Sequence, residues 1–202
     1  MAITMRQRGF TLVELIVTIA VLALILFSVM PNISTWLENT RIRNVADSLQ
    51  NGLQLARGEA VRRNQNVSLW LVSLDDPAVL SDDCSLSGAS GAWIVSVNSP
   101  IGHCADAPST TSSPMIVTGR PSGDSSGRVS VTAIQSADGS TEGTSVTFNG
   151  FGRIANSDAI GQIDVTGTSG TRALRIVVSP SGAVRMCEPS IVDSTAKDPR
   201  KC

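Results

Sequence analysis

Residues 10–30 carry one charge, Glu14, and otherwise only Thr11, Thr18 and Ser28 as polar side chains. A helix of that length rises about 1.5 Å per residue and covers roughly 30 Å, the thickness of a bilayer hydrocarbon core. Arg6 and Arg8 stand before it and no acid does, so the positive-inside rule keeps the short amino terminus cytoplasmic and exports the rest. The run is too long for the apolar core of a cleaved secretory signal, and Ser28-Val29-Met30-Pro31-Asn32 offers no small-x-small cleavage site. A plain anchor explains the length but not Glu14. A carboxylate five residues into a span costs about 3 kcal/mol, so it calls for a partner or a function.

After Pro31 the pattern turns amphipathic. Ile33, Trp36, Leu37, Ile42, Val45, Leu49, Leu53, Ala56 and Ala60 recur at near-helical steps, with Glu38, Arg41, Arg43, Asp47, Arg57 and Arg62 between them. The spacing predicts one long helix over 10–63, kinked or locally melted near Pro31. Gly52 and Gly58 weaken it by roughly 1 kcal/mol each and are places for close packing against a sheet. Beyond it, short β-like runs are expected at 67–72, 92–97, 115–118, 128–133, 145–148, 162–165, 173–179 and 183–187, joined by Ser-, Thr-, Gly- and Pro-rich turns. The fold class that follows is α+β, with the second half of the helix laid against an antiparallel β domain. The expected organisation is a leader over 1–9, a membrane or filament-core helix over 10–31, its amphipathic half over 32–64 and an exported β-rich domain over 65–202.

Composition narrows the chemistry. With 16 Lys and Arg against 17 Asp and Glu, a net charge of −1 gives no global attraction to nucleic acid. One His and no Tyr leave little material for acid–base catalysis near neutral pH. The stretch Gly123-Asp124-Ser125-Ser126-Gly127 matches the nucleophile pattern G-x-S-x-G, but its flanks are not the strand and helix that motif needs, so it reads as a turn. His103 reads as an exposed loop residue. Asp75/Asp76 and Asp82/Asp83 lack calcium-loop spacing and read as solvated charges. No catalytic activity, cofactor or metal is expected. Cys84, Cys104, Cys187 and Cys202 all lie on the exported side, an oxidising compartment. Four cysteines allow three connectivities, and the two local pairs, Cys84–Cys104 and Cys187–Cys202, are the expected ones because each closes a short turn-rich loop.

Arg8-Gly9-Phe10-Thr11-Leu12-Val13-Glu14-Leu15 resembles the class III signal of type IV pilins and type II secretion pseudopilins. The resemblance implies that prepilin peptidase cuts between Gly9 and Phe10 and methylates the new Phe10 amino group. Glu14 would then be the fifth residue of the mature chain and act in assembly and methylation. A physical reason for Glu14 follows: in a helix bundle its carboxylate can pair with the Phe10 amino group of a neighbouring subunit and favour the correct axial register. The block Ala56-Arg57-Gly58-Glu59-Ala60-Val61-Arg62-Arg63 is similar to the ARxEAxxR block of the GspH/FimT family of minor pilins and pseudopilins. Taken alone, its Glu and Arg residues are adequately read as helix-surface ion pairs worth a few tenths of a kcal/mol. Phe148-Asn149-Gly150-Phe151-Gly152-Arg153 and Ser179-Pro180-Ser181-Gly182-Ala183-Val184-Arg185 resemble the turn-and-strand segments near the end of that family's domain.

The resemblance implies a minor pilin of a type IV pilus, acting as a structural subunit of a tip or priming complex. Its partners would be other major and minor pilins, prepilin peptidase, the pilus assembly machinery and, before assembly, the inner membrane. The chain would be a single-pass inner-membrane protein with a periplasmic domain, and later part of a surface pilus. Two alternatives stand beside it. One is a type II secretion pseudopilin. The other is a DNA-binding minor pilin for natural transformation, whose candidate residues are Arg172, Arg175, Arg185, Lys197, Arg200 and Lys201. For the DNA alternative, Gly182-Ala183-Val184-Arg185 lacks the first Arg of the family's Gly-Arg-x-Arg motif, and Glu188, Asp193 and Asp198 offset the positive charge.

Overall fold

A computed structural model describes residues 9–123, 127–168, 172–191 and 198–202, the side chains of residues 28–32 excepted. Its first element is one helix, α1, Leu12–Arg63. Thr11 rather than Phe10 opens it, because the Thr11 hydroxyl accepts a hydrogen bond from the Glu14 amide at 3.2 Å and so caps the first turn. The helix runs on through Pro31, so of the kink or local melting expected there the melting does not occur. The helical turns on either side outweigh the one bond a proline cannot make. Asn64 ends α1 in the left-handed conformation (φ 49°), with the Gln65 amide reaching back to the Ala60 carbonyl at 3.2 Å. That six-to-one bond is the Schellman stop.

By compactness the chain divides into two units, Met1–Leu37 and Glu38–Cys202. Among the described residues the second unit holds nine strands: β1 Val67–Ser73, β2 Ser85–Leu86, β3 Ala92–Ser96, β4 Ile116–Arg120, β5 Val129–Gln135, β6 Ser145–Phe148, β7 Ile160–Gly167, β8 Ala173–Val178 and β9 Val184–Cys187. They form two antiparallel sheets. The first has the order β2-β1-β3-β4, with β6 also paired to β1. Since β3 takes one edge of β1, the other edge is shared: β6 pairs Val67–Trp70 and β2 pairs Val72 and Ser73. The second sheet has the order β5-β7-β8-β9.

The core lies between the helix and both sheets. Ile42, Val45, Ala46, Leu49, Leu53, Ala56 and Ala60 of α1 are buried with Leu69, Leu71, Trp93 and Val95 of the first sheet and Val131, Ile163, Val165, Leu174 and Ile176 of the second. Strand β8 buries every second residue, as a half-covered strand should, and β7 does so from Ile163 to Val165, its alternation being broken after Ile160 where the pairing with β5 shifts register. Strand β3 is buried throughout because a second cluster, with Val72, Ile94, Cys84 and Cys104, covers its outer face. Cys84 is bonded to Cys104 and Cys187 to Cys202, with Cα separations of 6.3 and 5.1 Å. Both local pairings expected from the sequence are therefore formed.

Strand β4 starts one residue late and extends to Arg120, because Met115 takes a positive φ of 56° that a strand cannot hold. The short β2 was not legible as a strand.

The two helix glycines differ in kind. A Cβ on Gly52 would stand 2.8 Å from Leu69 Cδ1 and 3.0 Å from the Trp93 ring, whose Nε1 is held by Ser48 Oγ at 3.0 Å. A Cβ on Gly58 would meet nothing within 4 Å. Close sheet packing therefore explains Gly52 and not Gly58. Gly58→Ala is expected to raise stability by about 1 kcal/mol through helix propensity. Gly52→Ala is expected to lower it by about 1–2 kcal/mol through overpacking. Thermal unfolding of the two variants checks both signs.

Candidate functional site

Residues 12–27 of α1 are predominantly apolar and exposed. Phe10 is 84% exposed and Phe27 78%, and Leu12, Val13, Ile16, Ile19, Leu24 and Ile25 are all exposed as well. Side chains of this kind need a non-aqueous neighbour to cover them. Glu14 is the only charge among them and sits in the first turn, where a carboxylate also complements the helix dipole. Arg8, which opens the processing motif, lies outside the described residues, whereas Gly9 and Phe10 are exposed ahead of the helix. Among the described residues no helix is long and apolar enough to cross a membrane. The continuous run with described side chains, residues 12–27, covers about 24 Å.

At the carboxyl end of α1 three sequence blocks that are far apart in the chain meet. Arg57 Nε donates to the Gly152 carbonyl at 3.0 Å. The turn carrying Gly152 is closed by Asn149, whose Oδ1 accepts from the Phe151 amide at 3.0 Å and the Arg153 amide at 3.1 Å. The Asn149 carbonyl takes the Gly152 amide at 2.8 Å. The third block, Ser179 to Ala183, presses Gly182 against that carbonyl: a Cβ there would be 1.9 Å from Gly152 O. Gly182 and Gly152 both have positive φ, 81° and 72°. The Ile154 amide reaches Pro180 O at 3.3 Å and fastens the two turns together. Phe151 is left at the apex, 85% exposed. The sequence displayed these blocks but gave no sign that Phe151 points outward, since a lone Phe in a turn-rich stretch reads equally well as core.

Glu59 takes hydrogen bonds from Arg62 Nη2 at 2.6 Å and Arg63 Nε at 2.7 Å. The side chains of Glu59 and Arg63 are only 15% and 14% exposed, because Arg63 lies beside Pro108, Thr111, Ile116 and Val117. This pair is more shielded than the solvated surface ion pair expected from the sequence. The Arg62 hydrogen bond, assisted by Arg63 against the desolvation of burial, holds the Glu59 carboxyl below its ordinary 4.5. A carboxyl depressed in the folded chain contributes stability above its unfolded pKa and loses it as pH falls through the folded one. The urea midpoint should therefore drop as pH is lowered below about 4.5, and Glu59→Gln should flatten that part of the profile.

Most of the candidate DNA-binding side chains are already engaged. Arg172 pairs with Glu188. Arg175 forms a two-pronged bridge to Asp164 at 2.7 and 3.0 Å across β8 and β7. Arg200 does the same with Asp198 at 3.1 and 2.7 Å, and the Arg200 side chain and amide hold the Asp198 carboxyl down at about 2. Arg185 Nη2 donates to the main-chain oxygen of Cys202 at 3.2 Å. The Lys201 side chain is exposed, while its backbone forms an isolated parallel β-bridge with that of Glu188. Lys197 and Asp193 lie outside the described residues. The disulfide Cys187–Cys202 thus gathers these groups near one sheet edge, but as neutral pairs more than as a cationic surface.

His103 is exposed and paired with Asp106 at 3.0 Å. Asp76 accepts the Ala78 amide at 2.9 Å, as a turn-closing carboxylate does, and Asp82 accepts the distant Ala105 amide, also at 2.9 Å. Ser125 lies outside the described residues.

A long helix, apolar at its start and amphipathic later, packed on antiparallel sheets, is the architecture of type IV pilin-like subunits. The family model for the type II transport protein GspH matches residues 45–182, and that for the prokaryotic N-terminal methylation motif matches residues 4–30. The chain belongs to the GspH family, the GspH/FimT-like group of minor pilins and pseudopilins. Among solved structures it is similar to the type IV minor pilin FimU of Pseudomonas aeruginosa, at 15% identity and a TM-score of 0.46 over 75% of this chain and 91% of that one. It is also similar to E. coli GspH, at 19% identity and a TM-score of 0.39 over 74% and 89% of the two chains. A comparison with curated proteins finds no match.

Proposed function

We propose that the chain is a minor pilin of a type IV pilus, a structural subunit of the tip or priming complex with no catalytic activity of its own. The observation that carries this reading is the exposed, predominantly apolar surface of residues 10–27, with Glu14 as its only charge. Before assembly that surface is covered by lipid, with residues 10–31 as a single inner-membrane anchor and the domain in the periplasm. Afterwards it is covered by the helices of other pilins. Processing takes place between Gly9 and Phe10, by prepilin peptidase. The paired state of Arg172, Arg175 and Arg200 supports a structural role over phosphate capture, because an arginine already bound to a carboxylate releases few counterions on meeting DNA.

The family description, type II transport protein, favours a second reading as a secretion pseudopilin. Deleting the chain separates the two. A several-fold loss of surface pili, with the chain present in sheared pili of the parent, is the expected result. Normal pili with loss of protein secretion would establish the pseudopilin instead.

A further inference from the structure

The Phe151 turn is built to be displayed. Its backbone is held by Asn149, by Arg57 and by the close approach of Gly182, so the apex side chain has little freedom to fold back. Around Phe151 lie Arg153, Ile154 and Pro180, which together line an open groove. Arg153 is exposed and has no ion-pair partner among the described residues. A rigid aromatic anchor beside an uncommitted arginine is what a contact hot spot requires: large apolar area, little ordering cost and one charge to set the orientation. A nucleic-acid strand would instead ask for successive stacking rings, and Phe151 stands alone.

The matching surface lies on the same chain. The loop between β1 and β2 presents Val79, 56% exposed, among Asp75, Asp76, Asp82 and Asp83, all exposed and without a cationic partner among the described residues. The Asp76 carboxylate shapes the turn that carries Val79 by accepting the Ala78 amide at 2.9 Å. These two surfaces stand at opposite ends of β1. Val67 pairs with Phe148, next to the Phe151 turn, whereas Ser73 pairs with Ser85 at the exit of the acidic loop. Six strand steps put about 20 Å between them. A single copy cannot bring them together, but two copies can.

We propose that the Phe151 turn of one copy docks on the acidic 75–83 loop of a second copy. Phe151 packs against Val79, and Arg153 meets the aspartates. Such a contact joins different surfaces of the two copies, so it does not close on itself as a two-fold dimer does. It goes beyond the filament-subunit reading and does not depend on which filament is built.

The test uses the full chain in membranes of cells making two differently tagged copies, with the photo-reactive residue benzoylphenylalanine at position 151. The expected result is a light-dependent product joining the two tags, with position 151 linked to a peptide from residues 75–83. Arg153→Glu should lower its yield about tenfold, Asp75→Arg in the other copy should do the same, and the two together should restore it. Both sites are exposed, and unchanged thermal unfolding of each variant excludes misfolding as the cause. Absence of a product between the copies, a link elsewhere on the second copy, or charge variants without effect would overturn the proposal. A link to a different pilin or to nucleic acid would also overturn it while leaving the filament-subunit reading intact.

Discussion

Gly182→Ala is expected to destabilise the β domain by about 3 kcal/mol or more, a loss large enough to leave much of the chain unfolded at growth temperature. Two costs combine. The residue holds φ at 81°, where an L side chain is strained by about 1–2 kcal/mol. Its Cβ would also fall 1.9 Å from the Gly152 carbonyl, an oxygen that cannot retreat freely because Arg57 Nε is bonded to it at 3.0 Å. Moving the Gly152 turn away breaks that bond and leaves a helix arginine without its acceptor. Gly102→Ala isolates the first cost. It has nearly the same φ, 78°, and nothing within 4 Å, so it should cost only about 1 kcal/mol. If the two variants unfold at the same urea concentration, the close approach of the turns contributes nothing.

Gly182 also shows where the sequence stopped being legible. The helix was readable because its signal is periodic and local: Leu49, Leu53, Ala56 and Ala60 fall on one face by spacing alone. The disulfides were readable because the short loops favoured local pairs. Most strands could be placed to within two residues because alternation marks them, as in Leu174, Ile176 and Val178. What could not be read was the partnership between distant segments. Nothing in the local pattern says that Arg57 reaches a carbonyl 95 residues away, or that one edge of β1 is shared by β2 and β6. Such contacts are fixed by how the whole domain closes, and no window of a dozen residues contains them.

The basic tail was legible in part: the offsetting Glu188 and Asp198 stood out in the sequence, but not which arginine each would meet. Arg175 and Arg185 alternate with apolar residues on β8 and β9, Arg172 stands just before β8, and their positive charge is apparent in the sequence. Their partners come from other strands: Asp164 opposite Arg175 on β7, and Glu188 beyond β9 for Arg172. A charge count along the chain sees the cations as a cluster. The register of the sheet turns most of them into pairs.

Glu14→Arg is expected to cut the amount of chain found in sheared filaments by roughly a hundredfold relative to the amount in the membrane. In the proposed register the Glu14 carboxylate of one subunit faces the Phe10 amino group of another. At 4 Å and an effective dielectric near 20 that attraction is about 4 kcal/mol, and reversing the charge turns it into a repulsion of similar size. Glu14→Gln removes the attraction without adding repulsion and should fall between the two. Thr11→Ala is the control. It deletes the helix cap to the Glu14 amide, worth about 1 kcal/mol, and leaves the carboxylate in place, so incorporation should change little. Mass measurement of the membrane-bound chain must show the leader removed in each variant, since an unprocessed chain would fail for a different reason. If the processed Glu14→Arg chain enters filaments at the parental level, pairing with the Phe10 amino group does not set the register. The carboxylate would then serve only the first turn of α1, where it complements the helix dipole.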